Sequence, residues 1–176
     1  FLFTGSVLLP IKAVLLNLIS LGATIGFLCW VFIGGNLKWL IGEFHVTGAI
    51  DTSSLVLILV VAFGLSMDYE LFLLSRIKEQ HDAGLGTTES VAVGLQRSGR
   101  IITAAALVLA FSFVAFVTSG VSIMKMLGLG IAFAILLDAT IIRALLVPAL
   151  MRLLGDLNWW APRWMKWIYR KAGLDH

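Results

Sequence analysis

Charge, cysteine and proline are scarce in this chain of 176 residues. Asp, Glu, Lys and Arg make up only 13% of it, against 60% hydrophobic residues and three prolines. A soluble domain of this length needs a wetter surface, so the composition excludes a water-soluble globule and indicates an integral membrane protein. The single cysteine, Cys29, rules out an intrachain disulfide. His45, His81 and His176 are scattered without zinc spacing, so no metal site is expected. GLG at residues 84–86 completes neither a dinucleotide nor a phosphate loop. With no nucleophile–base pair either, an enzyme is not expected.

The net charge of +3 sits mostly in flanks and tail, which suits anionic lipid headgroups better than nucleic acid. FLFTGSVLLP, residues 1–10, has neither the charged leader nor the cleavage site of a signal peptide. It reads as the end of a preceding transmembrane helix, closed by Pro10, and the chain as a piece of something longer. Four apolar stretches follow, at about residues 11–33, 54–75, 101–118 and 126–151. Each is long enough to cross about 30 Å of hydrocarbon, and in lipid each must be helical.

Lys and Arg placement orients these spans. With four spans, both chain ends and the middle loop share one side. That side holds Lys12, Arg76, Lys78, Arg97, Arg100, Arg152, Arg163, Lys166, Arg170 and Lys171, and the other only Lys38 and Lys125. Both ends are therefore expected in the cytoplasm. In the external connector, Leu37, Leu40, Ile41 and Phe44 recur at helical spacing and predict a short interfacial helix. In the cytoplasmic loop, TTES followed by VAVGLQ predicts a second helix along the inner surface. The tail, residues 156–176, mixes Trp159, Trp160, Trp164, Trp167 and Tyr169 with basic residues. Aromatics and cations can hold nucleic acid, but directly after a span they fit a headgroup belt better, so no nucleic-acid partner is expected.

Four ionisable side chains fall inside the expected spans: Asp68, Glu70, Asp138 and Arg143. An aspartate at mid-membrane costs roughly 2.5–3.5 kcal/mol on insertion scales, so such residues usually face a bundle interior or wet cavity. Asp68 stands about 12 Å inside Arg76 at helical rise. Tyr69, about 100° round the helix, cannot be its partner, so that partner must come from another helix. Gly64 lies one turn away on the same face, with Leu65 and Phe72 flanking it. Ser66 either serves Asp68 or satisfies itself, and Glu70 is either a solvated edge residue or part of the polar network. Asp138 and Arg143, five apart, stand about 140° apart on an α-helix, which argues against a direct salt bridge between them. GATIG at 22–26 reads as a packing motif. Thr103, Ser112 and Thr140 can bond their own helices.

GLSMDYELFLLSR, residues 64–76, resembles the tenth transmembrane helix of the MMPL family, within the RND superfamily of transporters. LLPIKAVLLNLISLGATIGFLCWVF is similar to its ninth helix, LLDATIIRALLVPALMRLLG to its twelfth, and NWWAPRW to the segment after that. The resemblance covers essentially the whole chain in order. It implies an all-α RND-type helix bundle of twelve helices in two pseudo-symmetric halves, with this chain as the end of helix eight plus helices nine to twelve. Residues 11–155 would form the C-terminal transmembrane domain. The resemblance further implies export of lipids or other hydrophobic compounds across the bacterial cytoplasmic membrane, driven by the proton-motive force. Protons would be the coupling ion, with no other cofactor. Asp68 and Tyr69 match the family's proton-carrying pair, which faces a second such pair on the absent N-terminal half. Asp138 and Arg143 match a polar pair on the twelfth helix, and Phe72 a residue lining the central channel, beside Gly64 and Leu65. Lipid bilayer, lipid substrate and the N-terminal half are the implied partners, and a homo-oligomer is compatible with them. The alternative is a lipid-binding or scaffolding membrane module with a static polar core.

Overall fold

The computed structural model describes residues 6–43 and 50–160, and every regular element among them is helical. Four helices are long and apolar enough to cross a membrane: Leu8–Ile33, Thr52–Asp82, Thr87–Thr118 and Ser122–Leu154. Large apolar side chains such as Phe111 and Leu153, each 81% exposed, cover the outside, as suits a molecule whose solvent is lipid.

The first span is α1 (Leu8–Leu28) and a widened turn, Cys29–Ile33. Pro10 does not close an earlier helix. It sits in the first turn of α1, where a missing N–H leaves no intrahelical bond unmade. Residues 1–5, the rest of the expected helix tail, lie outside the described residues. The connector helix, α2 (Lys38–Ile41), is a single turn. The Lys125 ammonium fixes it from the fourth span by donating to the carbonyls of Ile41 and Glu43 at 2.7 and 3.0 Å. Phe44 lies outside the described residues.

The second span, α3 (Thr52–Asp82), starts at an Asp51 cap, whose carboxylate accepts from the Ser54 N–H at 2.7 Å and its hydroxyl at 2.6 Å. It continues past Ser75 to Asp82, its last turns carrying the exposed pairs Arg76–Glu79 and Lys78–Asp82. The third span is α4 (Thr87–Val114), tightening into a 3₁₀ turn at Ala115–Thr118. The separate inner-surface helix expected from TTESVAVGLQ is absent, because those residues are the first turns of α4 itself. No proline interrupts them, and the cap is Gly86, with no side-chain bond, rather than a threonine. Gly94 lets α4 press on α3: a Cβ there would lie 2.7 Å from Ile77 Cγ1 and 3.1 Å from its Cα.

The fourth span joins α5 (Ser122–Leu137), a π-helical segment (Asp138–Leu146) and α6 (Val147–Leu154). Pro148 explains the wide segment. It cannot donate to Ala144, and its ring would clash with that carbonyl in a regular α-helix. Instead the Val147 N–H reaches back to the Ile142 carbonyl. Half of this span's apolar window is buried against 17% for the third span, so the fourth is the axis on which the others pack. Gly128 is a contact point, since a Cβ there would sit 2.5 Å from the Phe113 carbonyl oxygen. In contrast, a Cβ at Gly22 or Gly26 of GATIG would meet nothing, and it is Thr24 between them that is buried.

Two apolar cores result. One, around Leu28, Ile58, Ala106 and Ile131, lies toward the connector; the other, around Leu16, Leu73, Ile77, Val147 and Met151, lies toward the chain ends. At the latter end, a 3₁₀ turn (Gly155–Trp159) is held by Asn158 Nδ2 donating to the carbonyls of Met151 and Gly155. The Trp159 ring stacks on His81 at 4.1 Å, and its N–H donates to the Thr87 hydroxyl at 3.3 Å. The remaining aromatic tail, residues 161–176, lies outside the described residues.

Candidate functional site

Between the two cores the bundle is polar. Asp138 opens the π-helical segment and Arg143 lies within it, and their side chains form a direct ion pair, buried to 6% and 3% exposure. This corrects the expectation from α-helical geometry, under which five positions leave side chains about 140° apart. The i→i+5 winding turns less per residue and brings the two nearly into line. Ser66 completes the cluster from α3. Its hydroxyl donates to Asp138 Oδ1 at 2.8 Å, and its carbonyl accepts from Arg143 Nη2 at 3.1 Å. The serine is therefore neither self-satisfied nor turned to Asp68. Arg143 reaches inward, its guanidinium 5.2 Å from the centre of the Tyr69 ring. Ser112 and Thr140 bond their own helices, at 2.8 and 2.5 Å.

Glu70 is no solvated edge. It is 5% exposed, and Asn17 Nδ2 donates to its Oε2 at a long 3.5 Å. The charges acting on it are Arg143, Lys12 and Asp138. Lys12, placed with the cytoplasmic flank by its sequence position, is in fact 5% exposed inside the bundle. Sequence reading missed both Lys12 and Asn17. Their signal was there: with Ser20 and Thr24 they form a polar stripe of buried residues on an otherwise apolar helix.

Asp68 lies apart from this cluster. It is exposed on the flank of α3, and Gly64 on the same face meets no neighbouring atom. With Tyr69 and Phe72 it lines a groove of about 330 Å³ that Ile101, Ile102 and Ala105 of α4 complete. A second, smaller space of about 10 Å³ is bordered by Asn17, Ser66, Leu65, Tyr69, Asp138 and Arg143 among others. That is close to the room one water needs, and the polar partners a water needs surround it. Tyr69 borders both spaces.

The described residues contain no group of His, Cys, Asp or Glu able to hold a metal. What the arrangement can do is bind, hold and pass protons: carboxylates, a phenol, a hydroxyl and compensating cations lie within one polar layer of an apolar bundle.

Residues 1–171 match the MMPL family. The chain is 48% identical over 174 residues to the trehalose monomycolate exporter MmpL3 of Mycolicibacterium smegmatis, covering 99% of this chain and 17% of that protein. It is 47% identical over 176 residues to the protein of the same name from Mycobacterium tuberculosis, covering 99% and 18%. To the mycolic acid-containing lipids exporter MmpL11 of M. smegmatis it is 42% identical over 170 residues, covering 97% and 18%. The chain thus spans less than a fifth of the length of these relatives.

Proposed function

The chain belongs to the MMPL family, and from that premise we propose that it is the C-terminal helix set of a proton-driven lipid exporter of the cytoplasmic membrane. Its relatives are named as exporters of trehalose monomycolate and of mycolic acid-containing lipids, which favours a long-chain lipid as substrate. Both chain ends face the cytoplasm, as the distribution of Lys and Arg supports. A further half of the transporter docks on this one.

The observation that carries the reading is the placement of Asp68. Lys12, Glu70, Asp138 and Arg143 all turn into the bundle, whereas Asp68 stands exposed on an apolar helix beside Tyr69 and an open groove. A carboxylate facing lipid at that depth is costly, and a second half carrying a complementary polar face removes the cost. In this arrangement Asp68 binds and releases the proton, Tyr69 hydrogen-bonds across the joint, and Phe72, Leu65 and Gly64 shape the channel. Ser66, Glu70, Asp138 and Arg143 support the relay. The drive is adequate, at about 2.3 kcal/mol per charge per 100 mV.

The test is Asp68→Asn in the full-length transporter, reconstituted with an imposed pH gradient. Loss of proton-coupled lipid export with unchanged membrane insertion is the expected result. Undiminished export would remove the relay and favour a static lipid-binding module. The ion pair and hydrogen bonds that tie Asp138, Arg143 and Ser66 together resemble a fixed polar core and speak for that second reading.

A further inference from the structure

Hydroxyls in a membrane helix commonly bond their own backbone. In α4, Ser98 and Ser112 do so, donating to the carbonyls of Gly94 and Val108 at 2.6 and 2.8 Å. Thr103 does not. It is exposed on the same helix, and its hydroxyl bonds to no described residue. A second polar group is orphaned on the fourth span. Pro148 lacks the N–H that would serve the Arg143 carbonyl in i→i+5 winding, or the Ala144 carbonyl in α-helical winding. One of these two carbonyls is therefore left without its helical donor. The third group is Nη1 of Arg143, buried and without a hydrogen-bond partner.

All three belong to residues around one groove of about 170 Å³. Leu95, Gly99 and Thr103 of α4 form it with Ala139, Arg143 and Ala144 of the fourth span. The Asp68 groove takes Ile101 and Ala105, on another flank of α4. Toward the chain ends the new groove reaches water. Arg97 and Arg100 are both exposed, and their charges need water or headgroups, so one or the other extends at least to Arg100. Leu95 and Gly99 stand before that level, and Thr103 about 4.5 Å past it at helical rise. Nothing fills the groove at Gly99, where a Cβ would meet no neighbouring atom.

We propose that this groove is a water-filled inlet, open on the chain-end side, that hydrates the wide segment of the fourth span. It has room for several waters, and the Thr103 hydroxyl and the freed carbonyl supply them with polar partners. A lipid acyl tail would suit Leu95 and the alanines but would leave both groups unpaired in hydrocarbon, which is costly. Water instead takes the place of the donor that Pro148 lacks, a common remedy at prolines in membrane helices. The inlet brings solvent from one side of the membrane to the segment that carries Asp138 and Arg143. It holds whether or not Asp68 carries protons.

The experiment uses the full-length transporter, with its native cysteines replaced, in vesicles of known orientation. Single cysteines are reacted with a charged methanethiosulfonate, which needs a thiolate and so reports water. Ala144→Cys and Thr103→Cys should react at least tenfold faster than Leu145→Cys, a neighbouring position 64% exposed on the apolar surface. They should do so from the chain-end side. Gly99→Leu, which fills the groove without a backbone clash, should slow Ala144→Cys at least tenfold. Rates no faster than Leu145→Cys, or reaction from the connector side alone, would overturn the proposal. So would an Ala144→Cys rate that Gly99→Leu leaves unchanged. Reaction with an uncharged, lipid-soluble maleimide alone would assign the groove to an acyl tail and overturn it too. Should Ala144→Cys fail to fold, a spin label on Thr103→Cys decides. Faster relaxation by a water-soluble nickel chelate than by oxygen supports the inlet, and the reverse refutes it.

Discussion

Neutralising Asp138 should cost more stability than any other single change in the polar layer. The Asp138–Arg143 pair is almost wholly withdrawn from solvent. Two unit charges about 4 Å apart at an effective dielectric of 20 attract by about 4 kcal/mol. Asp138→Asn removes that attraction and leaves Arg143 with the Ser66 carbonyl at 3.1 Å and the face of Tyr69. Neither replaces a carboxylate, and a buried ion deprived of its partner typically costs about 3–5 kcal/mol. The second half of the cycle distinguishes pairing from packing. Asp138→Asn/Arg143→Met removes both charges at similar volume and should lie within about 1–2 kcal/mol of wild type, because a neutral core needs no compensation. The assay is reversible unfolding of the full-length protein in mixed micelles, titrated with a denaturing detergent. A single variant within about 0.5 kcal/mol of wild type would refute the reasoning. So would a double variant whose loss is the sum of the two singles.

Three further outcomes follow from the packing and caps. Gly128→Ala should destabilise by about 1–3 kcal/mol, because its Cβ would meet the Phe113 carbonyl, while Gly22→Ala, facing open space, should be neutral or mildly stabilising; the same unfolding assay compares them. Lys125→Met should free the connector turn, seen as faster hydrogen exchange around Ile41, with the far end of the bundle unaffected. The Ser54 hydroxyl and then its N–H, both donating to Asp51, hold that carboxyl below the usual carboxylate range. A depressed folded-state value means the cap contributes fully above the usual range and is lost as pH falls through it. Protection of the Ser54 amide, corrected for the intrinsic pH dependence of exchange, should therefore weaken below about pH 4. In Asp51→Asn it should not change over that window.

The four spans were legible because lipid demands long apolar helices and the chain supplies them. Their ends were less so, since apolar run length does not register a helix that continues into water, as α3 does to Asp82 and α4 does from Thr87. Asp68 was conspicuous by residue type alone, but its exposed position on the flank of α3 could not be read from the sequence. Nor could the direct Asp138–Arg143 contact, because the angle used for it presumed uniform α-helical winding. Pro148 was the available warning: a proline within a span disturbs the turn before it. Glu70 was left open and Lys12 misplaced for a related reason. Both stand near the expected end of a span, where position along the axis cannot tell an inward side chain from one reaching the headgroups.

The wide turn of the fourth span also sets a phase. The inward stripe runs through Ile131, Ile135, Asp138 and Ile142, slips by one residue within the wide segment, and continues at Arg143, Val147 and Met151. Uniform α-helical winding would rotate everything beyond the segment by about one residue's angle, roughly 100°. Val147 and Met151, now 1% and 0% exposed, would turn out of the core in the same movement that parts Asp138 from Arg143. Charge pairing at the middle of the bundle and apolar packing at its end are therefore a single geometric variable. Deleting one residue between Asp138 and Arg143 would reset both at once.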